Sequence, residues 1–246
     1  MQPRMHRGGS TITGAALGIL MLETRFPRVL GDIGNAQTWP FPVLFKVVRG
    51  ASVQRVTQEK AAGLLDAFAA ATDELVRDGA AGITTSCGFL SLFQRPLAER
   101  CGVPMAVSSL IQIPFVERLI PPGKRVGVLT FSSDSLTREH FESVGVRPDI
   151  PFAGVRRNSQ FFTVILNGGL EADPAVLRDD VLEAADRLVE ANRDLGAIVL
   201  ECTNMAPYAA DIRRRTGLPV FDIYNFICWF HAGLAPREFG REDGRW

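Results

Sequence analysis

The chain has no excess of charge of either sign. Its 27 Lys and Arg are matched by 27 Asp and Glu, so no global field draws it to nucleic acid or to an acidic membrane surface. Cysteine is scarce, four in 246 residues, which excludes a disulfide scaffold. None of the four forms a CxxC pair and there are only three histidines, so no zinc site is expected. No apolar run reaches the roughly 18–20 residues of a membrane-spanning helix. Low-complexity segments and clear linkers are also missing. What remains is a chain long enough to bury a real core, with thiols expected to be reduced, a small-molecule partner, and a cytoplasmic location.

The start resembles a signal peptide in outline, with the basic "MQPRMHRGG" ahead of the apolar "GAALGILML" at 14–22. The apolar run is short, and Glu23 and Arg25 stand where a small-residue cleavage site belongs. Residues 1–12 are therefore expected to be a disordered lead and 14–22 a first strand.

Along the chain, short apolar runs alternate with amphipathic stretches. Strands are predicted at 15–22, 43–49, 82–86, 104–108, 125–131, 151–155, 197–201 and 219–222. Helices are predicted at 54–78, 89–101, 111–119, 136–144, 160–167, 174–194, 205–216 and 223–233. Several strand runs are continuously apolar, the pattern of parallel sheets covered on both faces. Asp173 and Pro174 form an N-cap and first-turn signal for the long helix that follows. The fold class is α/β. "IPPGKR" at 120–125 is the best candidate boundary, giving a first half over 13–120, a second over 121–222, and a C-terminal helix and tail over 223–246 that can pack back on the first half.

The chain also echoes itself. Displaced by 115 residues, Cys87 falls on Cys202, Gly102 on Gly217 and Pro104 on Pro219. The Gly-x-Pro coincidence is ordinary helix punctuation. The cysteines are more informative, because each follows a buried-looking strand, "GITTSCGFL" and "AIVLECTNM". In open parallel sheets ligands bind beyond that end. Two thiols at the mouths of two related halves suit a two-base pair, in which one takes a proton from carbon and the other protonates the opposite face. A thiol at a helix start is expected to have a lowered pKa. Cys101 and Cys228 have no matched partner and read as small buried hydrophobes.

"TTSCGF" together with "LECTNMAPYA…TGLPVFD" resembles the aspartate/glutamate/hydantoin racemase superfamily over most of residues 14–233. The resemblance implies two pseudo-symmetric flavodoxin-like halves with parallel sheets, the active site in the cleft between them, and acid–base chemistry at carbon with no cofactor. It places Cys87 and Cys202 at the two catalytic positions. Ser86, Gly88, Phe89, Thr203 and Asn204 fall at positions that bind substrate carboxylate or carbonyl groups, as do Ser132 and Ser133 of "VLTFSS". Arg25 is a candidate partner for a substrate carboxylate. The aromatic loop "RFPRVLGDIGNAQTWPFPV" at 25–43, with Phe89, Phe131, Phe161, Phe162 and Tyr224, is a candidate wall for a cationic group. Trp39 and Phe41 equally suit a packed lid or a subunit contact.

Racemisation or epimerisation of a small carboxylate, amino acid or hydantoin is the first expectation. β-Elimination of the dimethylsulfoniopropionate lyase kind is the alternative, since the aromatic loop resembles that branch. A thiol-bearing binding protein is the third. The apolar helix "YNFICWFHAG" suits a dimer surface, and a homo-oligomer is expected.

Overall fold

In the computed structural model, residue 9 and residues 11–237 are described. Most of the expected lead and all but the first residue of the charged tail "REFGREDGRW" lie outside them. The order of elements is β1 (Leu17–Leu22), β2 (Val43–Val48), α1 (Val53–Thr57), α2 (Leu65–Arg77), β3 (Gly82–Thr85), α3 (Gln94–Ala98), β4 (Met105–Ala106), α4 (Ile113–Val116), β5 (Arg125–Thr130), α5 (Arg138–Glu142), β6 (Phe152–Gly154), α6 (Gln160–Asn167), α7 (Pro174–Ala191), β7 (Leu195–Leu200), α8 (Ala209–Thr216), β8 (Val220–Phe221) and α9 (Ile223–Leu234). The strands form two parallel four-stranded sheets, ordered β2-β1-β3-β4 and β6-β5-β7-β8. The second order repeats the first, which makes the halves pseudo-symmetric.

The echo in sequence is an echo in structure. The 3₁₀ turns that follow the cysteines run from Gly88 to Phe93 and from Thr203 to Tyr208. The edge strands Met105–Ala106 and Val220–Phe221 are displaced by the same 115 positions.

All six residues of β1 are buried, as a central parallel strand requires. At Gly18 a Cβ would press on Ile83 and Leu75, so the missing side chain sets how closely α2 and β3 approach β1. α7 opens on Pro174, with the Asp173 carboxylate accepting from the Ala175 N–H. One buried apolar cluster runs through both halves. A second joins the outer face of the first sheet to Ile33, Trp39 and α9 (Ile223, Phe226, Ile227). α9 thus returns to the first sheet, where its Leu234 and Phe230 sit against Gly82.

The helix expected at 54–78 is two helices. The chain turns between them through Lys60 (φ 51°), Ala61 (φ 56°) and Gly63 (φ 71°). The turn buries Ala61 and Leu64 and sends α1 across to pack on α6 of the second half. The helices expected at 89–101, 111–119 and 205–216 each open with a 3₁₀ segment before becoming α-helical. Pro207 sits in the third of these, where it withholds one ladder donor. Among the described residues, no helix is long and apolar enough to cross a membrane.

Candidate active site

Cys87 and Cys202 occupy equivalent places. Each is the extended residue between a strand end and a 3₁₀ turn, at φ −151°, ψ 121° and φ −76°, ψ 122°. Both line one narrow cavity that opens to solvent. Gly88, Phe89, Ser86, Thr203, Asn204 and Phe131 line it too, as do Glu201, Arg28, Thr24 and Phe26. The first half, the second half and the loop after β1 all contribute.

Backbone and hydroxyl bonds fix these walls. The Thr85 hydroxyl donates to the Val107 carbonyl at 2.7 Å and contacts the Cys87 carbonyl at 3.1 Å. The Ser86 hydroxyl accepts from the Leu22 N–H at 2.9 Å, tying β3 to β1 at the mouth of the sheet. The Thr203 hydroxyl donates to the Ser86 carbonyl at 2.8 Å, from one half to the other. The Cys202 thiol contacts Asn204 Oδ1 at 3.8 Å, and the Asn204 amide donates to Asp32 at 2.6 Å. Asp32, only 3% exposed, also accepts from Arg28 at 2.6 Å and from the Gly34 N–H at 2.8 Å. Three donors satisfy a carboxylate that would be costly to bury alone.

The electrostatics differ from the sequence expectation. The thiols were expected to be acidified by the helix starts. Burial instead pushes Cys87 up, reinforced by the nearby Glu201 carboxyl and opposed by the backbone N–H groups of Phe89 and Leu90. Burial pushes Cys202 up as well. Glu201, Cys87 and Asp32 add to that rise, and the Asn204 N–H opposes it. The 3₁₀ turns supply two N–H groups to Cys87 and one to Cys202, and their pull is smaller than the cost of burying a thiolate.

Glu201 is the residue that sequence reasoning missed. It follows the apolar β7 and is fully buried. Burial raises its carboxyl to about 7, against the Thr130 hydroxyl and the Phe131 N–H, which favour the ionised form. The available signal was an acid closing an otherwise apolar buried strand. The arginine that reaches the cavity is not the one expected from the sequence. Arg25 is exposed and does not line the cavity. Arg28 does, with its guanidinium bonded to Asp32 and to the Thr24 hydroxyl and lying 4.7 Å from the Phe26 ring centroid. The chain turns inward at the buried Phe26, just before Pro27, and this exchanges the two arginines.

The other candidates divide. Ser132 is buried, bonds Ser135 at 3.1 Å, and lines a neighbouring depression rather than the thiol cavity. Ser133 is exposed. Of the aromatic candidates, Phe89 and Phe131 reach the cavity. Phe162 stacks behind Phe131 at 4.7 Å, and Phe161 packs edge-on to Tyr208. Trp39 stacks on Phe41 and Tyr224, and Phe41 stacks on His231 of α9, so this part of the loop is packed on the C-terminal helix. Cys101 and Cys228 do not line the cavity.

Known proteins share parts of this sequence and this fold. The Asp/Glu/Hydantoin racemase family profile matches residues 111–230. A dimethylsulfoniopropionate lyase of Durusdinium sp. clade D is 27% identical over 94% of this chain and 79% of its own length. Dimethylsulfoniopropionate lyase 6 of Emiliania huxleyi is 30% identical over 84% of this chain, which spans only 56% of that protein. Among solved structures, unliganded arylmalonate decarboxylase aligns with TM-score 0.55 at 16% identity, over 92% of this chain and 94% of its own. A glutamate racemase isoform of Bacillus anthracis aligns with TM-score 0.55 at 14% identity, over 89% of this chain and 83% of its own. At such identities the structures speak to the fold, two parallel-sheet α/β halves of the flavodoxin-like kind. The chain is thus similar to the Asp/Glu/Hydantoin racemase family over residues 111–230 and shares the two-half fold of these solved structures.

Proposed function

We propose that the chain is a cofactor-independent β-elimination lyase acting on a small carboxylate with a cationic leaving group at the β carbon, of the dimethylsulfoniopropionate type. The observation that carries this reading is the pairing of two thiols, Cys202 buried and Cys87 half-buried, both pushed up, in one cavity with aromatic walls. A thiolate forms there most readily when the substrate itself brings positive charge. A sulfonium does so, and the faces of Phe26, Phe89 and Phe131 suit it. A simple anionic acid would bring only negative charge to a cavity that must hold a thiolate. The names of the curated relatives point the same way.

The roles follow from the surroundings. Cys87 receives two backbone N–H groups and Cys202 one, with Asp32 close by. Cys87 is therefore the base and Cys202 the thiol that stays protonated. The Cys87 thiolate takes the α proton, and the C–H electron pair moves onto the substrate carboxylate as an enolate before it returns to form the new Cα=Cβ bond. The Cβ–S bond breaks with its pair on sulfur, so a neutral sulfide and an unsaturated acid leave. Arg28, whose carboxylate partner Asp32 lies behind it, presents its guanidinium edge to the substrate carboxylate. General base catalysis of this kind contributes about 10²–10⁴-fold.

Racemisation is the second reading, favoured by the symmetric placement of the thiols. The discriminating experiment incubates the purified chain with dimethylsulfoniopropionate and, separately, with each enantiomer of aspartate and glutamate in heavy water, followed by NMR. Acrylate and dimethyl sulfide in equal amounts support the lyase. Deuterium at the α carbon of an amino acid with loss of optical purity, and no elimination, would replace it with the racemase.

A further inference from the structure

Glu201 is a buried acid that the two-thiol chemistry leaves unused. Its Oε2 accepts from the Thr130 hydroxyl at 2.8 Å, while its Oε1 has no hydrogen-bond partner although it is shut off from bulk water. No ion pair to Glu201 occurs among the described residues. Oε1 packs directly against Gly88, an approach that only glycine permits. A Cβ there would overlap both Oε1 and the Glu201 carbonyl oxygen. Gly88 and Glu201 line the thiol cavity together.

An ionised carboxylate with one dry, unpartnered oxygen is strongly disfavoured. Because Oε2 is already an acceptor, a bound proton sits on Oε1. There it turns a buried, unpartnered acceptor into a donor. The upward push on this carboxyl agrees with that placement.

We propose that Glu201 is held protonated on Oε1 and donates a hydrogen bond to a carboxylate oxygen of the bound acid, the oxygen onto which charge moves as the α proton leaves. The proposal rests on the lyase reading for the identity of that acid, and it assigns Glu201 as a catalytic residue alongside the thiols. The donor gains strength as the oxygen gains charge, so it acts mainly on the transition state. A neutral carboxylic acid in an apolar site is suited to this, since it adds no negative charge to a cavity that must accommodate a thiolate. Arg28 holds the ground-state carboxylate, and Glu201 meets the charge that develops later.

Two variants and one spectrum test this. Glu201→Gln keeps an N–H donor of similar size, and Glu201→Leu removes it. With dimethylsulfoniopropionate as substrate, E201Q should keep kcat within about tenfold of wild type and lose the fall in kcat as Glu201 ionises at higher pH. E201L should lose about a hundredfold in kcat, the usual effect of deleting one such donor, with KM little changed. Infrared difference spectra read the carboxyl without turnover. At pH 5.5 wild type should show a protonated-carboxyl C=O band that E201Q lacks, and saturating acrylate should shift it. Wild-type kcat in E201L, no band, or a band indifferent to acrylate would each overturn the proposal. A band that moves with acrylate in a protein that does not cleave dimethylsulfoniopropionate would sink the lyase reading and leave this one standing.

Discussion

Thr203 reaches across the molecule to Ser86: its hydroxyl donates to the Ser86 carbonyl at 2.8 Å, joining the residue after one cysteine to the residue before the other. Both partners are buried, and the bond spans the interface between the two sheets directly beside the thiols. It sets the position of one strand mouth relative to the other, and the spacing of the thiols depends on that position.

Thr203→Val keeps the shape and removes the donor, leaving a buried carbonyl without this partner. We expect a loss of about 1–3 kcal/mol in stability, read as a lower urea midpoint at unchanged slope. Turnover should fall with it, because the strand mouths are no longer registered. A variant of wild-type stability would show that the bond has no structural weight.

Gly88→Ala is expected to be worse, although the change is a single methyl group. The Cβ meets the Glu201 carbonyl and carboxyl together, and neither can move without disturbing β7 or Thr130. Overpacking of this kind costs typically about 1–3 kcal/mol, and elimination should fall below that of any surface variant. The check is thermal unfolding alongside initial rates.

pH separates two buried groups of opposite sign. Glu201 is raised in the folded protein from 4.5 to about 7, so between those values the native state binds the extra proton. Its contribution to stability is full below about pH 4.5 and is lost as pH rises to 7. His140 is lowered from 6.5 to about 4, chiefly by burial and then by Lys60. Its contribution is full above about pH 6.5 and is lost as pH falls toward 4. The two slopes oppose each other in wild type, and Asp222, raised to about 6, adds to the Glu201 sense. Glu201→Gln should therefore make stability rise more steeply with pH from 4.5 to 7 than it does in wild type. Urea unfolding across that range measures the difference, and an unchanged slope would mean that Glu201 ionises normally.

The places of the eight described strands were legible, because most are written as short apolar runs between helix and turn signals and each sits where its run does. The thiol pair was legible for the same reason, as the strand mouth is a fixed point in the register. What escaped depended on contacts distant in sequence. The break after Thr57 turns on Lys60 and Ala61 adopting positive φ, which tertiary burial of Ala61 and Leu64 imposes against local preference. Arg28 replaces Arg25 because the loop turns inward at Phe26. The direction of the thiol shifts was hidden because local sequence shows the helix start but not the dry cavity or the carboxyl facing it.

Arg28→Lys should separate binding from chemistry. The lysine keeps a charge but loses the planar fork that spans Asp32, Thr24 and the cavity. We expect KM for a carboxylate substrate to rise about tenfold or more with a smaller change in kcat, whereas Arg25→Lys should change neither. Equal effects from the two would return the substrate carboxylate to the outer loop.

The central claim is that Cys87 and Cys202 act together from one cavity. The direct measurement is the rate of dimethyl sulfide release from dimethylsulfoniopropionate by wild type, Cys87→Ser, Cys202→Ser and the control Cys101→Ala, each shown to be folded by its urea midpoint. The account predicts a loss of at least about a hundredfold in Cys87→Ser, a clear but smaller loss in Cys202→Ser, and near wild-type release by the control. A folded Cys87→Ser or Cys202→Ser protein that releases sulfide at the wild-type rate would contradict it.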